Sequence, residues 1–301
     1  MKKLTLLFPG SFMNYREIDV DMLEECRSAE RTGLFNTVLF NYDEWLQGDK
    51  LRLNFADNVS EQAVYRGWML KPEEYSKLYS ELSSNGILLL TKPSEYEDMH
   101  LFPNVYPHIE ADTAGMMIFE DGKVDIEAVK KQYSRFMVKD SVKSVKGTEF
   151  PAFFDFKVTQ DEFDRWMEVF YKYSGNLLTG SICIKEYFDL KRYNGRTNEF
   201  RVFYADHKVI SVCRNSLQPD YTAEPPEELF NKYKNLGSPY YTVDYAELSD
   251  GSWKIIEAGD GGVSGLSPEQ DADAYYRALY WALDTGKDAI SKDRYPLCGR
   301  V

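Results

Sequence analysis

The amino-acid sequence predicts an α/β (α+β) protein that opens on a small parallel sheet, and three observations carry that expectation. Leu4 to Phe8 is an apolar run closed by Pro9-Gly10, a helical spacing follows at Val20, Leu23, Cys26 and Ala29, and Thr37 to Phe40 is a second apolar run. Together they read as a β-α-β unit. From about His108 the pattern changes to short strands separated by helices. The stretch from Tyr241 to Leu266 then reads as a β-hairpin, with Val243, Tyr245 and Glu247 alternating along one arm, Ser249-Asp250-Gly251 in the turn and Trp253 to Ile256 in the other arm. On this reading residues 1–107 form an N-terminal unit, 108–185 a central one and 186–301 a C-terminal one.

Each further element has a local cause. Ala63 to Trp68 reads as a strand, and Pro72 starts a helix at its first turn that runs through Tyr75, Leu78 and Leu82 to Gly86. Ile87 to Leu90 is a buried strand. In the central unit Met116 to Phe119 is a strand, Val124 to Tyr133 a helix and Arg135 to Lys139 a strand, followed by a loop of small residues and lysines. Thr159 opens a helix through Phe163, Trp166, Met167 and Phe170 that ends near Gly175, and Ser181 to Leu190 is a strand running into a Gly/Asn-rich turn. Asn198 to Tyr204 and Lys208 to Cys213 pair as a hairpin around Asp206-His207, and Pro226 to Tyr233 is a short helix. Ser267 starts the last long helix, with a broad apolar surface at Ala272, Tyr275, Leu279 and Trp281 to Leu283; the tail from Gly286 is polar.

Composition excludes several classes. A chain of 301 residues with 43% hydrophobic and 28% charged residues is globular, with core enough for two or three subdomains. Its apolar runs are too short to cross a bilayer, and Lys3 followed by a brief apolar run and Pro9-Gly10 does not make a signal peptide. The cysteines at 26, 183, 213 and 298 lack C-x-x-C spacing, which argues against zinc and a disulfide framework and suits a cytoplasmic location. A net charge of −13 opposes nonspecific nucleic-acid binding and favours a small molecule, amino acid or peptide as substrate. His100, His108 and His207 are not in metal-ligand spacing and read as structural or surface residues. Nothing in the sequence fixes the oligomeric state.

Candidate functional residues cluster late in the chain. Folding the last hairpin brings Asp244 and Glu257 level, and two facing carboxylates repel unless a cation lies between them; Mg²⁺ is held by few carboxylates plus phosphate oxygens. Solvated surface acids are the bland alternative. Lys139 ends a strand and opens a loop carrying Lys143, Lys146 and Gly147, which suits either a cover for phosphates or a plain solvated loop. Lys185-Glu186 interrupts an apolar strand and suits a hinge around a flat ligand, or a half-exposed strand. Glu199 and Arg201 share one strand face, with Arg214 closing the partner strand; this is an ion-pair network or a clamp for a transferring phosphate. Arg66, mid-strand among apolar residues, either snorkels to water from an edge or binds an anion at the domain seam.

Taken in order, FMVKDSVKSVKG, ICIKEYF, NEFRVFYADHKVISVCRN and VDYAELSDGSWKIIEAGDGGVSGL resemble the ATP-grasp superfamily over about the last two thirds of the chain. With YRGWML around Arg66, the set resembles its R2K clade. The resemblance implies an ATP-grasp fold behind an N-terminal parallel-sheet, pre-ATP-grasp-like subdomain, with ATP between the central and C-terminal subdomains. It implies that Lys139 holds the α/β-phosphates under a lid carrying Lys143, that Lys185 by its backbone, Glu186 and Tyr187 meet the adenine, and that Glu199 bonds the ribose. Arg201 and Arg214 would face the γ-phosphate or an acyl phosphate, and Asp244 and Glu257 would coordinate Mg²⁺. Relatives read Glu-x-Asn at the metal site, whereas Glu257-Ala258-Gly259 is followed here by Asp260, which stands as the substitute ligand. Lys92 is the candidate for the second phosphate lysine. The implied activity is a carboxylate–amine (or thiol) ligase that forms ADP and phosphate through an acyl phosphate. A phosphotransferase, or a nucleotide-binding regulator without turnover, are the alternatives.

Overall fold

The computed structural model describes residues 3–54, 62–215, 218–219 and 222–285; the expected tail from Gly286 lies outside the described residues. The opening layer consists of β1 (Leu4–Pro9), α1 (Leu23–Thr32), β2 (Phe35–Phe40), α2 (Tyr42–Leu46), β3 (Gln62–Tyr65), α3 (Pro72–Ser84) and β4 (Leu88–Leu89). Its sheet has the order β2-β1-β3-β4 and every pairing is parallel, as the β-α-β opening predicts. Helix α1 stops at Gly33, whose φ of 70° closes the last turn in the left-handed region. Strand β3 ends three residues before the expected Trp68, because the chain turns away to meet another part of the molecule: the Gly67 N–H donates to the Gly262 carbonyl at 2.9 Å.

Three helices were not legible in the sequence: the short α2 and the two that follow β4. Helices α4 (Pro93–His100) and α5 (Phe102–Ile109) carry prolines at 93, 103 and 107. Pro93 and Pro103 stand in first turns, where a missing N–H costs nothing.

The central layer consists of β5 (Met116–Phe119), α6 (Ile126–Gln132), β6 (Arg135–Lys139), β7 (Phe154–Asp155), α7 (Gln160–Ser174) and β8 (Ile182–Glu186), with an antiparallel sheet in the order β5-β8-β6-β7. Phe136, Val138, Ile182 and Ile184 bury one face of that sheet against Val129 of α6 and Phe163 and Phe170 of α7. The Thr159 hydroxyl accepts from the Glu162 N–H at 3.2 Å and fixes the start of α7.

The C-terminal layer consists of β9 (Arg192–Tyr193), β10 (Arg196–Thr197), β11 (Glu199–Ala205), β12 (Lys208–Arg214), α8 (Glu227–Lys232), β13 (Tyr240–Glu247), β14 (Trp253–Asp260) and α9 (Ala272–Thr285). Its antiparallel sheet has the order β12-β11-β13-β14. Asp206 and His207, with φ of 46° and 63°, supply the tight turn between β11 and β12. Helix α9 starts at Ala272 and not Ser267, because Asp271 is the residue that caps it, accepting from the Ala274 N–H at 2.9 Å.

One face of the C-terminal sheet (Phe200, Val202, Tyr204, Val243, Tyr245 and Ile255) packs on Val105 and Ile109 of α5 and Phe230 of α8. The other face joins a second core, in which Phe203, Ala205 and Ile210 meet Tyr275, Tyr276 and Leu279 of α9 together with Leu4, Leu6 and Phe8 of β1. Helix α9 therefore ties the parallel sheet to the C-terminal sheet. Cys26 and Cys183 are buried free thiols, and Cys298 lies outside the described residues. No described helix is long and apolar enough to cross a membrane.

Candidate active site

Strands β6 and β8 pair with Met137 opposite Lys185 and Lys139 opposite Cys183. Side chains alternate along a strand, so both lysines leave the sheet on the face opposite its apolar core. That face looks at β14. The Lys139 Nζ lies 3.0 Å from Glu257 Oε1, and the Lys185 Nζ donates to the Ile256 carbonyl at 2.7 Å. Both ammonium groups also sit over the ring of Phe102 in α5, at 4.7 and 4.0 Å from its centre. The negative face of the ring offsets part of the cost of burying two like charges together.

In the C-terminal sheet Arg201, Asp244 and Glu257 form one lateral row across β11, β13 and β14. The level pairing of Asp244 with Glu257 is the geometry the hairpin predicts. A bulge between Asp244 and Tyr245 makes Ile256 the extra residue of β14, and its carbonyl is the one that receives Lys185. Protein cations hold the two carboxylates apart in charge. Arg201 donates to both oxygens of Asp244 at 2.8 Å each, with Asn215 adding a bond at 3.1 Å, and Lys139 pairs with Glu257. Burial works to raise the Glu257 carboxyl, but Lys139 beside it, with Lys185 and Lys146 beyond, holds it below the usual carboxylate range. Burial also works against the Arg201 charge, and Asp244 outweighs it. Lys185 is pulled down to about 7 by burial and by the Lys139 charge, against Glu257.

Lys139, Lys185 and Glu257 border a cavity of about 400 Å³ between the central and C-terminal sheets, and Arg201 and Asp244 lie beside Glu257 outside its lining. Lys139, Lys146, Lys185 and Glu257 line one part, and Glu186, Tyr187, Leu190 and Glu199 another. The Glu199 carboxylate accepts from the Thr197 hydroxyl at 2.6 Å. Tyr187 stacks on Phe153 of the lysine loop, ring centres 4.5 Å apart, with Arg135 over both rings.

Other expected residues stand elsewhere. Lys143 lines only a separate space of about 290 Å³, whereas Lys146 lines both that space and the main cavity. Arg214 pairs with Phe200 in the sheet and therefore lies on the opposite face from Arg201, with its guanidinium 5.4 Å from the Phe200 ring and its Nε donating to Thr222 at 3.1 Å. Asp260 stands opposite Tyr241, on the face away from Glu257. One of its oxygens accepts from the Gly262 N–H at 2.7 Å, and burial pushes its carboxyl up to about 7. Arg66 is enclosed, donating to Glu25, Tyr240 and the Gly261 and Ser264 carbonyls. Lys92 lies on the surface beside Glu95. Phe102 carried no signal in the sequence, because it sits in a proline-bearing stretch with no expected element.

The cavity fits a nucleotide in size, with cations at one part and an apolar and carboxylate lining at the other. For a divalent cation the fit rests on Glu257, whose side chain is 42% exposed, and Asp244, whose side chain is 5% exposed. Among the described residues no three His, Cys, Asp or Glu side chains gather as a cation-holding group. A cation here would take its remaining ligands from phosphate or water, as Mg²⁺ commonly does.

Residues 126–279 match the family model described as ATP-grasp domain, R2K clade family 3. No curated protein matches the sequence significantly. Among solved structures the chain is similar to D-cycloserine synthetase DcsG (TM-score 0.58, 14% identity, covering 93% of this chain and 100% of that one). It is also similar to D-alanyl-alanine synthetase A from Vibrio cholerae (TM-score 0.56, 13% identity, 93% and 98% covered). A third is the ATP-grasp ligase PsnB complexed with minimal precursor, Mg and ADP (TM-score 0.55, 13% identity, 93% and 98% covered). At these identities the structural likeness bears on the fold.

Proposed function

The chain belongs to family 3 of the R2K clade of ATP-grasp domains, and from that premise we propose that it is an ATP-dependent ligase joining a carboxylate to an amine, with release of ADP and phosphate. The observation that supports this reading most is the meeting of Lys139, Lys185 and Glu257 at one part of the cavity, with the row of Arg201 and Asp244 beside it. The structures named above are a D-alanyl-alanine synthetase, a D-cycloserine synthetase and a ligase also solved with a precursor peptide, which favours an amino acid or peptide as substrate.

In this reading Lys139, Lys185 and Lys146 bind the polyphosphate, while Glu186 and Tyr187 border the adenine and Glu199 the ribose. Glu257 and Asp244 would hold Mg²⁺, which supplies positive charge to the phosphates. Arg201, fixed by Asp244, stabilises charge at the transferring phosphoryl group. The substrate carboxylate takes the γ-phosphoryl group and ADP leaves; the amine then attacks the acyl carbon and phosphate leaves. No protein nucleophile is required, so catalysis consists of positioning and electrostatics.

The test is an isotope transfer. With a carboxylate substrate labelled with ¹⁸O and its amine partner, the released phosphate is expected to carry one labelled oxygen. Unlabelled phosphate with labelled amide would refute the acyl phosphate route. One observation favours a second reading: Asp260 is turned away from Glu257, so the cation site has two protein carboxylates and not three. A nucleotide-binding regulator without turnover accommodates that, and tight Mg·ATP binding without ADP formation across amino-acid and peptide substrates would distinguish it.

A further inference from the structure

The turn after β14, residues 261–265, is held from both ends by arginines of different layers. At its start the Arg66 Nη1 donates to the Gly261 carbonyl and, at 2.9 Å, to the Ser264 carbonyl. At its end the Gly265 carbonyl accepts from the Arg201 Nη1 at 3.0 Å, while the other side of that guanidinium holds Asp244. The Arg66 side chain is 3% exposed. Its Nε donates to Glu25 at 2.6 Å, Nη2 is ion-paired to the same carboxylate, and the rings of Phe203 and Tyr275 each lie 5.9 Å from its carbon. Every edge of the guanidinium is thus engaged, which leaves no face for a substrate anion.

We propose that Arg66 is a positioning residue for the phosphoryl-transfer end of the site: clamped by Glu25, it fixes the 261–265 turn, and the Gly265 carbonyl of that turn sets the orientation of Arg201 beside Asp244. This rests on the ATP-dependent reading above. The turn carries three glycines, so its shape depends on the bonds that tie it down. Its other ties are Gly67 N–H to the Gly262 carbonyl at 2.9 Å, Gly261 N–H to the Tyr240 carbonyl at 3.0 Å, Gly262 N–H to the Asp260 carboxylate at 2.7 Å, and the Ser264 hydroxyl to Thr242 and to the Asp260 carbonyl at 2.8 Å each. An arginine suits this work where a lysine does not, because its planar fork can meet a carboxylate on one edge and two carbonyls on another. Arg66 and Arg201 also lie within reach of each other's charge, and Glu25 and Asp244 respectively neutralise them.

The test compares Mg²⁺-supported binding of ADP with that of the β,γ-imido analogue of ATP, by calorimetry, in wild type, Arg66→Lys, Arg201→Lys and the double variant. Arg66→Lys is expected to keep ADP affinity within about twofold and to weaken the analogue about tenfold, as Arg201→Lys does, and the double variant is expected to lose no more than either alone, since both act through one unit. Equal weakening of both nucleotides, no weakening of either, or an additive loss of about a hundredfold in the double variant would overturn the proposal. Glu25→Gln, which keeps both carbonyl bonds but loosens the clamp, is expected to shift the analogue alone by about threefold, and it decides the matter if Arg66→Lys does not fold. Absence of binding of either nucleotide to the wild type would remove the ATP-dependent reading itself, an outcome distinct from wild-type binding with an unchanged preference in the variants.

Discussion

Two ammonium groups, those of Lys139 and Lys185, share the ring of Phe102 beside a single carboxylate, Glu257. Lys139 carries the ion pair, while Lys185 is pulled down to about 7 by burial and by Lys139. The sign of the resulting pH dependence follows. Without nucleotide Lys185 is largely neutral at about pH 8, and a bound polyphosphate favours its charged form, so binding takes up as much as about one proton and affinity rises as pH falls from about 9 towards 7. Calorimetry of Mg·ATP binding in buffers of different ionisation enthalpy is expected to show that uptake, and Lys185→Met to abolish it. Identical enthalpies for the wild type in both buffers would contradict the role. Lys139→Ala is expected to weaken Mg·ATP by about tenfold to a hundredfold with the fold retained, as loss of a charge-assisted contact does. Lys139 was legible in the sequence because it ends a strand and opens a loop. The part played by the Lys185 amine was not, since the sequence read it through its backbone, and only the bulge at Ile256 turns a carbonyl towards it.

At the scale of elements, the hairpin of β13 and β14 does most to build the site. Its register was legible from alternation and from the Ser249-Asp250-Gly251 turn, and the structure pairs Asp244 with Glu257 accordingly. What alternation alone also contained was the fate of Asp260. A residue three positions after Glu257 falls on the opposite face of a strand, so it cannot stand in for a ligand two positions on. Helices α4 and α5 were lost to their prolines, and with them Phe102. The turn that follows the hairpin depends on close backbone approach: a Cβ on Gly262 would lie 2.7 Å from the Tyr65 carbonyl oxygen and 2.9 Å from an Asp260 oxygen. Gly262→Ala is therefore expected to cost about 1–3 kcal/mol, as overpacking does, measured by urea denaturation. A stability unchanged within error would show that the turn and β3 are not held together as described.

The whole molecule is organised by cores that cross from layer to layer. Helix α9 near the C-terminus packs against β1 and β2, with Phe35 edge-on to Tyr276 and Tyr280 at 5.6 and 5.8 Å. Sequence periodicity found the long amphipathic helices α1, α3, α7 and α9 but could not say which sheet a helix would cover, because that depends on chain path and not on local spacing. A fragment of residues 1–107 lacks α9 and would expose the apolar face of its own sheet, so it is expected to be unfolded by circular dichroism and amide exchange; a stably folded fragment would contradict this shared core. The central claim is that the cavity between the central and C-terminal sheets is a Mg·ATP site built on Glu257 and Lys139. The most direct measurement is calorimetric binding of Mg·ATP to wild type and to Glu257→Gln, each checked for folding by circular dichroism. Magnesium-dependent binding to the wild type that weakens at least about tenfold in the folded variant is the expected result. Equal affinity in the two proteins would contradict the account.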